Sequence, residues 1–171
     1  MEAKKKEAVE WIVLIVVTLI IALILRSFVF VLARVKSISM QPTLVEGQWL
    51  FVNKISMIFG EPNYGDIIIF DAPTEKDYVK RLIGKSGDTI EIKDSVVYRN
   101  GVALEEEYLP EGLVYDDFAL TEVPEGQYFF MGDNRPYSQD SRSDIIGCID
   151  VDKVSGRVVY ILYPFKDFGR P

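Results

Sequence analysis

Histidine is absent from this 171-residue sequence, and cysteine occurs once, as Cys148. Without histidine, a Ser-His-Asp triad, a Cys-His dyad and a His-ligated zinc site are excluded. A single cysteine also excludes an internal disulfide and a cysteine-rich metal site. We expect no metal and no cofactor, and acid–base chemistry near neutral pH must therefore use Lys, Asp, Glu or Tyr with a shifted pKa.

Positive charge is scarce after the first 36 residues. Those 36 residues carry a net charge of +3, whereas the remaining 135 residues hold 13 basic and 23 acidic groups, and the whole chain has a net charge of −7. Binding to nucleic acid requires clustered positive charge, which attracts phosphates. We therefore expect no nucleic-acid partner.

The amino terminus combines a basic segment with a long apolar run. Lys4–Lys6 precede fifteen residues, 11–25, of which only Thr18 is polar. A membrane-spanning helix needs about 20 residues, and Arg26 can extend its side chain to the interface. The sequence predicts a basic cytoplasmic tail over residues 1–10, a transmembrane anchor over 11–27 and an extracytoplasmic domain over 28–171, because positive charge favours the cytoplasmic side.

A cleavable signal peptide and a buried core helix are the two alternatives to an anchor for the apolar run. A cleavable signal peptide ends in a small-x-small site, whereas Leu25 is followed here by Arg26, Ser27 and Phe28. A buried core helix that is apolar on every side exceeds what a domain of this size can surround. The retained anchor is therefore the favoured interpretation.

Beyond the apolar run, the sequence has the pattern of a mainly β protein. Short segments rich in Val, Ile, Tyr and Phe are separated by turn residues, which is typical of antiparallel sheets. Asn100-Gly101 predicts a tight hairpin, because both central residues of a type I′ turn need positive φ. Residues 105–125 are predicted to form a long connecting segment, the excursion, with at most one short strand. The predicted strand segments are 47–53, 65–72, 77–84, 88–94, 95–104, 126–133 and 156–164.

The first candidate site segment is SISMQPTL, Ser37–Leu44, directly after the apolar region. In an extended segment, Ser37 and Ser39 would point the same way, because side chains alternate. Pro42 disfavours a helix at the preceding residue. The alternative is a serine-rich linker between anchor and domain.

The second candidate segment is DYVKRLIG, Asp77–Gly84. As a strand it places Lys80 on the same face as Tyr78 and Leu82. Desolvation there would lower the pKa of Lys80 from about 10.4 towards neutrality, as a general base requires. The alternative is a solvated face on which the lysine stem covers apolar surface.

The third candidate segment is MGDNRPYSQDSR, Met131–Arg142. Asp133, Arg135, Asp140 and Arg142 lie among turn-forming residues, which favours a charge-paired, hydrogen-bonded loop. The alternative is a surface turn with incidental ion pairs.

The three segments occur in order behind an amino-terminal apolar run, together with GDIIIF and YVKRLIGKSGD. In this arrangement the chain resembles the bacterial type I signal peptidases, which use a Ser/Lys dyad, over almost its whole length. The resemblance implies an antiparallel, partly open β-barrel catalytic domain behind one transmembrane helix. With one predicted span and no large insertion, the chain is similar to the compact Gram-positive enzymes.

The resemblance also implies roles for individual residues. Ser39 matches the nucleophile and Lys80 the general base. Ser37 matches the hydroxyl that completes the oxyanion hole with the Ser39 backbone N–H, and Ser138 matches the serine that hydrogen-bonds to the lysine and orients it. In the family, polar residues hold the region around the nucleophile and the lysine together, and the positions that match them here are Arg81, Asp133, Arg135, Asp140 and Arg142.

The resemblance further implies a substrate and a location. The expected substrates are secretory preproteins, cleaved after small-x-small sites such as Ala-x-Ala, at the plasma membrane, in contact with lipid and near the secretion translocon. Endoplasmic-reticulum relatives use histidine instead of the lysine, so this histidine-free chain resembles the lysine class. Ser86 and residues 147–150 depart from the family pattern outside the catalytic positions.

Two other functions remain open from the sequence. A Ser/Lys self-cleaving repressor shares the dyad, but an apolar run occupies the place of its DNA-binding helices. A non-enzymatic membrane-anchored β module for envelope assembly would leave Ser39 and Lys80 without a role.

Overall fold

The computed structural model describes residues 2–74 and 77–171. Residue 1, in the predicted basic tail, and residues 75–76, in the predicted extracytoplasmic domain, lie outside the described residues. The helices are α1, Glu2–Phe28, and α2, Ile55–Ile58. The strands are β1 Phe30–Arg34, β2 Trp49–Asn53, β3 Ile67–Asp71, β4 Asp77–Lys85, β5 Thr89–Lys93, β6 Val96–Arg99, β7 Val102–Ala103, β8 Phe118–Glu122, β9 Gln127–Met131, β10 Ile149–Asp150 and β11 Val154–Tyr163. Single 3₁₀ turns occupy Arg135–Tyr137, Val151–Lys153 and Phe165–Asp167.

Helix α1 precedes the sheets, and its side chains from Val9 to Leu23 are exposed. Within the described part of the chain, no helix combines the length and the apolar character needed to cross a membrane. The transmembrane anchor over residues 11–27 therefore stays a prediction.

The strands form two antiparallel sheets, which confirms the predicted mainly β class. The larger sheet has the order β1-β2-β11-β3-β4-β9-β10, and the smaller has the order β7-β6-β5-β8. The larger sheet is open, with β1 and β10 at its edges. All seven predicted strand segments contain strands, and the excursion over residues 105–125 contains one short strand, β8.

The predicted hairpin at Asn100-Gly101 is confirmed. Both residues have positive φ, 54° and 75°, and they join β6 to β7 with Arg99 paired to Val102. An asparagine followed by glycine tolerates this left-handed conformation, which matches the twist of the paired strands.

The centre of the larger sheet is buried on both faces, because alternate residues of β3 enter different apolar clusters. Ile67 and Ile69 pack into a cluster with residues of β2 and β11, whereas Ile68 and Phe70 pack on the opposite face with Leu82. A third cluster joins the two sheets through Ile83, Phe129 and Met131 on one side and Ile90, Ile92 and Val97 on the other. Strand β4, which carries Lys80, lies between β3 and β9 and is therefore also an interior strand of the larger sheet.

Candidate active site

Ser39 lies in a series of turns between β1 and β2. The base of this loop is closed by hydrogen bonds from the Val35 N–H to the Gln48 carbonyl and from the Gly47 N–H to the Val35 carbonyl. Met40 and Leu44 are fully buried in the first apolar cluster and anchor the loop on the sheet. The loop is thereby part of the packed domain, so the alternative of a serine-rich linker is wrong.

The turns still bring Ser37 and Ser39 together. The segment is not helical, which agrees with the prediction, but it is not extended either. Hydrogen bonds from the Gln41 N–H to the Ile38 carbonyl and from the Leu44 N–H to the Met40 carbonyl fold it into turns. Ser37 Oγ nevertheless lies 3.2 Å from Ser39 Oγ. The two hydroxyls share one side of the loop through turn geometry and not through strand alternation.

Lys80 occupies the interior of β4, directly across from Ile68 of β3. The residue is only 3% exposed, so the alternative of a solvated lysine is wrong. Its Nζ lies 5.2 Å from the centroid of the Tyr78 ring, on the face predicted from strand alternation. The same Nζ lies 2.5 Å from Ser39 Oγ, and Ser39 is itself buried.

The environment of Lys80 favours its neutral form. Burial lowers the pKa of Lys80 to about 8, because it removes the ammonium from water. The Asp140 and Asp133 carboxylates oppose this change and the Arg142 guanidinium adds to it. Among the described residues Lys80 forms no salt bridge, so desolvation dominates. A neutral amine is thus available beside the Ser39 hydroxyl at a pH more than two units below the ordinary lysine pKa of 10.5.

The loop after β9 folds back on itself around Asp140. The fully buried Asp140 carboxylate accepts hydrogen bonds from the Gly132 N–H at 2.9 Å and from Arg142 Nε and Nη2 at 2.8 Å each. Burial alone would raise the pKa of Asp140, but the hydrogen bonds and charge of Arg142, together with the Gly132 N–H and the nearby Ser138 hydroxyl, outweigh burial and hold that pKa below its ordinary value. Arg142 Nη2 also donates to the Arg135 carbonyl. These buried bonds contradict the alternative of a surface turn with incidental ion pairs.

A second buried ion pair joins the same loop to β4. Arg81 donates from Nε and Nη2 to the two carboxylate oxygens of Asp133, at 2.9 and 2.6 Å. Thr43, from the loop of Ser39, donates to the same carboxylate at 2.5 Å. Asp133 therefore connects all three predicted site segments. The sequence had assigned this residue only a general supporting role.

Gly132 fits tightly between Ser39 and Ser138. A Cβ atom at this position would collide with the Ser39 carbonyl oxygen and with Ser138 Oγ. Ser138 Oγ is buried and has no hydrogen-bond partner among the described residues, although it lies near enough to Asp140 to favour the charged carboxylate. The predicted hydrogen bond between Ser138 and Lys80 is therefore not formed in this structure.

Three residues of the site were missed from the sequence. Asn134 donates from its backbone N–H to the Ser39 carbonyl and from Nδ2 to the Ile38 carbonyl, each at 3.0 Å. Gly132 and Asn134 both lie within the third candidate segment, Met131–Arg142, but their residue types are equally typical of an ordinary turn and do not indicate a contact with Ser39. Glu106, the carboxylate partner of Arg135, lies in the excursion and has two neighbouring glutamates.

The site contains a serine–lysine pair and three arginine–carboxylate pairs. Among residues 2–74 and 77–171, no group of three or more Cys, Asp or Glu side chains is arranged to hold a metal ion. The reactive groups available at Ser39 are a hydroxyl and a buried amine. This combination can carry out nucleophilic catalysis with a lysine as the proton acceptor.

Comparisons with known proteins agree with this geometry. The family model described as signal peptidase, peptidase S26, matches residues 8–163. A signal peptidase I of Bacillus licheniformis is 41% identical over 177 residues, which cover 98% of this chain and 95% of that protein. The signal peptidase IB of Staphylococcus aureus (strain N315) is 35% identical over 181 residues, covering 96% of this chain and 94% of that protein.

A solved structure is similar as well. The crystal structure of a signal peptidase I from Enterococcus faecalis V583 matches with a TM-score of 0.50 and 38% identity, covering 57% of this chain and 96% of that chain. The similarity therefore includes nearly the whole of that chain. On its sequence and its fold, the chain belongs to the signal peptidase family, peptidase S26, as a bacterial type I enzyme.

Proposed function

We propose that this chain removes amino-terminal signal peptides from secretory preproteins as a membrane-bound serine endopeptidase, with Ser39 as the nucleophile and Lys80 as the general base. The observation that carries the assignment is the 2.5 Å separation of Lys80 Nζ and Ser39 Oγ beneath the protein surface. Membership of a peptidase family favours this function over an envelope-assembly module without activity.

The chemical step begins with neutral Lys80. Its Nζ accepts the proton of the Ser39 hydroxyl as Oγ attacks the carbonyl carbon of the scissile peptide bond. The resulting ammonium then gives this proton to the leaving amine, and the C–N bond breaks to give an acyl-enzyme. A water molecule, deprotonated by the same amine, attacks the ester carbonyl, and the proton returns to Ser39 Oγ as the acyl group leaves.

Two donors are assigned to the oxyanion of the tetrahedral intermediate. The Ser39 backbone N–H has no acceptor among the described residues. The Ser37 hydroxyl lies 3.2 Å from Ser39 Oγ, at the same side of the loop. One such donor typically contributes about 3 kcal/mol to the reduction of the barrier.

Ser138 is assigned the role of orienting Lys80. Its buried hydroxyl has no hydrogen-bond partner among the described residues, so its donor and acceptor capacity is available when the lysine becomes charged. A buried hydroxyl without a partner costs free energy, and a hydrogen bond to the ammonium would recover it. The pairs Arg81–Asp133 and Asp140–Arg142 hold the segments that carry these residues.

The proposed substrates follow from the family and from the position of Ser39. Proteins named signal peptidase I share 35–41% identity with nearly the whole chain. Ser39 follows the carboxyl end of α1 at Phe28 by eleven positions. If residues 11–27 cross the membrane with the amino terminus in the cytoplasm, Ser39 meets the end of a translocated signal peptide close to the outer face, where small-x-small cleavage sites emerge.

The decisive experiment is cleavage of a purified preprotein by the full-length chain in detergent. The wild type should release a mature protein whose new amino terminus follows an Ala-x-Ala site, and Ser39→Ala and Lys80→Ala should release none. Lys85→Ala, which removes another ammonium from β4, is the matched control and should retain activity. Processing at the wild-type rate by Ser39→Ala would refute the assignment, provided that circular dichroism shows a folded domain.

The proposed topology has its own test. In intact spheroplasts, external protease should digest the β domain and leave a fragment that contains residues 1–27. Complete protection of the chain in spheroplasts, with digestion only after lysis, would contradict an extracytoplasmic domain.

A further inference from the structure

The Arg135 side chain is as deeply buried as those of Asp133 and Asp140 in the loop after β9, but its carboxylate partner comes from outside the loop. The side chain of Arg135 has no exposed surface, and that of Glu106 is 9% exposed. Arg135 Nη2 and Nη1 donate to the two oxygens of Glu106 at 2.5 and 3.0 Å. Although burial alone disfavours a charged guanidinium, the hydrogen bonds and charge of Glu106 raise the pKa of Arg135 above its ordinary value, so the guanidinium stays charged.

Glu106 belongs to the excursion between β7 and β8, which is part of the region around the smaller sheet. Tyr108 donates to Glu106 at 2.5 Å, and the Tyr115 hydroxyl lies 3.0 Å from Arg135 Nη1. The ring of Tyr108 also lies 3.7 Å beneath the Arg81 guanidinium. The excursion thus contacts the loop after β9 through several buried polar groups, of which Glu106 alone supplies negative charge to Arg135.

A short series of contacts leads from this ion pair to Ser39. Arg135 Nε donates to the Gly132 carbonyl at 3.1 Å. Gly132 in turn packs against the Ser39 carbonyl oxygen and Ser138 so tightly that no Cβ fits. The Arg135 carbonyl accepts a hydrogen bond from Arg142, the partner of Asp140. Both ends of the loop are therefore attached to Arg135.

We propose that Glu106 is a positioning residue for the Ser39–Lys80 pair: through its ion pair with Arg135 it holds residues 132–142 against the two reacting groups. This inference rests on the proposed function, because it assigns Glu106 a part in the same reaction. Glu106 is not a catalytic residue, since three residues separate it from the substrate in the contact series.

The expected consequence of loosening the loop is a change in the environment of Lys80. The charged groups that influence Lys80 from the loop are Asp133, Asp140 and Arg142, and on its own strand the Tyr78 ring lies beside it. When the loop moves away, water reaches the ammonium and the desolvation that favours neutral lysine weakens. The acid limb of the pH dependence of kcat/KM then moves upwards, towards the value of a free lysine.

The test compares two adjacent glutamates in the full-length enzyme. Glu106→Gln keeps the side-chain volume but can accept from only one of the two Arg135 donors, and Glu106→Ala removes both. Glu107→Gln and Glu107→Ala remove the same charge from an exposed neighbour and serve as matched controls. Rates of preprotein cleavage are measured between pH 6 and pH 10 and normalised to the folded fraction found by circular dichroism.

We expect kcat to fall about tenfold in Glu106→Gln and further in Glu106→Ala, with KM nearly unchanged. The acid limb should move upwards by about one pH unit, and Glu106→Asp should recover part of the loss. Both Glu107 variants should match the wild type.

Two results would overturn the proposal. In the first, the acid limb of Glu106→Gln stays at the wild-type pH after normalisation. In the second, both Glu106→Gln and Glu106→Ala fail to fold, which would make the ion pair a requirement of folding. Failure of the proposed function gives a different result. In that case either the wild type does not cleave the preprotein, or Ser39→Ala cleaves it at the wild-type rate.

Discussion

The backbone N–H of Asn134 donates a hydrogen bond to the carbonyl oxygen of Ser39 over 3.0 Å. The Asn134 side chain makes a second bond to the neighbouring Ile38 carbonyl, also at 3.0 Å. The loop after β9 thereby holds the backbone of the proposed nucleophile at two consecutive residues.

Asn134→Ala tests the contribution of the side-chain bond. The backbone bond to Ser39 is retained, so we expect kcat/KM to fall by about fivefold, equivalent to one hydrogen bond of about 1 kcal/mol. Preprotein cleavage kinetics measure the effect, with Asn63→Ala at an exposed turn as the control. A kcat/KM equal to that of the wild type would show that the Ile38 contact is dispensable.

Gly132→Ala should damage the site more severely. The added Cβ collides with the Ser39 carbonyl and with Ser138, and overpacking of this kind costs about 2 kcal/mol of stability. Displacement of Ser39 by about 1 Å should lower kcat by about 100-fold. Denaturant unfolding and cleavage rates measure the two effects. Gly169→Ala, where a Cβ meets no atom within 4 Å, should be neutral in both.

The pH dependence of kcat/KM should have an acid limb near the pKa of Lys80, about 8. Only neutral Lys80 accepts the Ser39 proton, so activity should rise with pH through this value and be lost below it. Rates with a preprotein between pH 6 and pH 10 test this. A limb near 10.5, the ordinary lysine value, would exclude Lys80 as a desolvated base.

Lys80→Met should change the pH dependence of stability. The folded-state pKa of Lys80 is about 8 and the ordinary value is 10.5, so the unfolded chain binds more protons between these values. Folding stability of the wild type should therefore rise by about 2 kcal/mol between pH 8 and pH 9.5 because of Lys80, and the variant should lack this increment. Urea unfolding followed by tryptophan fluorescence gives both curves, and parallel curves would contradict burial of the ammonium.

Asp133→Asn should destabilise the domain by leaving Arg81 without its buried counter-charge. Loss of one partner of a buried ion pair costs about 3 kcal/mol, and here the bond from Thr43 is weakened as well. The urea midpoint measures the change. Glu91→Gln breaks the Glu91–Lys93 pair, whose lysine is exposed and whose carboxylate is partly exposed, and should leave the midpoint unchanged. Equal effects of the two substitutions would refute the argument from burial.

Local patterns in the sequence were sufficient for most of the fold. Alternation along Asp77–Gly84 placed Lys80 beside Tyr78, and the turn chemistry of Asn100-Gly101 predicted its hairpin. Both features depend on interactions between residues close together in the chain, which composition and spacing record directly. The order of the strands in the two sheets was not predicted, because it depends on contacts between distant segments.

The sequence identified most residues of the candidate site but not the hydrogen bonds between them. Ser39 and Lys80 were identified from their motifs, and the structure places them 2.5 Å apart across 41 positions of sequence. The predicted Ser138–Lys80 hydrogen bond is not formed, and Ser37 reaches Ser39 through turns. Hydrogen-bond geometry of this kind depends on fractions of an ångström, which a motif does not specify.

The sequence by itself determined that proton transfer cannot use histidine, because the chain has none, and that a β domain follows an apolar amino-terminal run. Only the tertiary structure decided which of three consecutive glutamates pairs with Arg135, and that Gly132 has no room for a Cβ. The three carboxylates are chemically equal along the chain. They become different only when packing buries Glu106 against Arg135, 29 positions away, and leaves its two neighbours exposed to water.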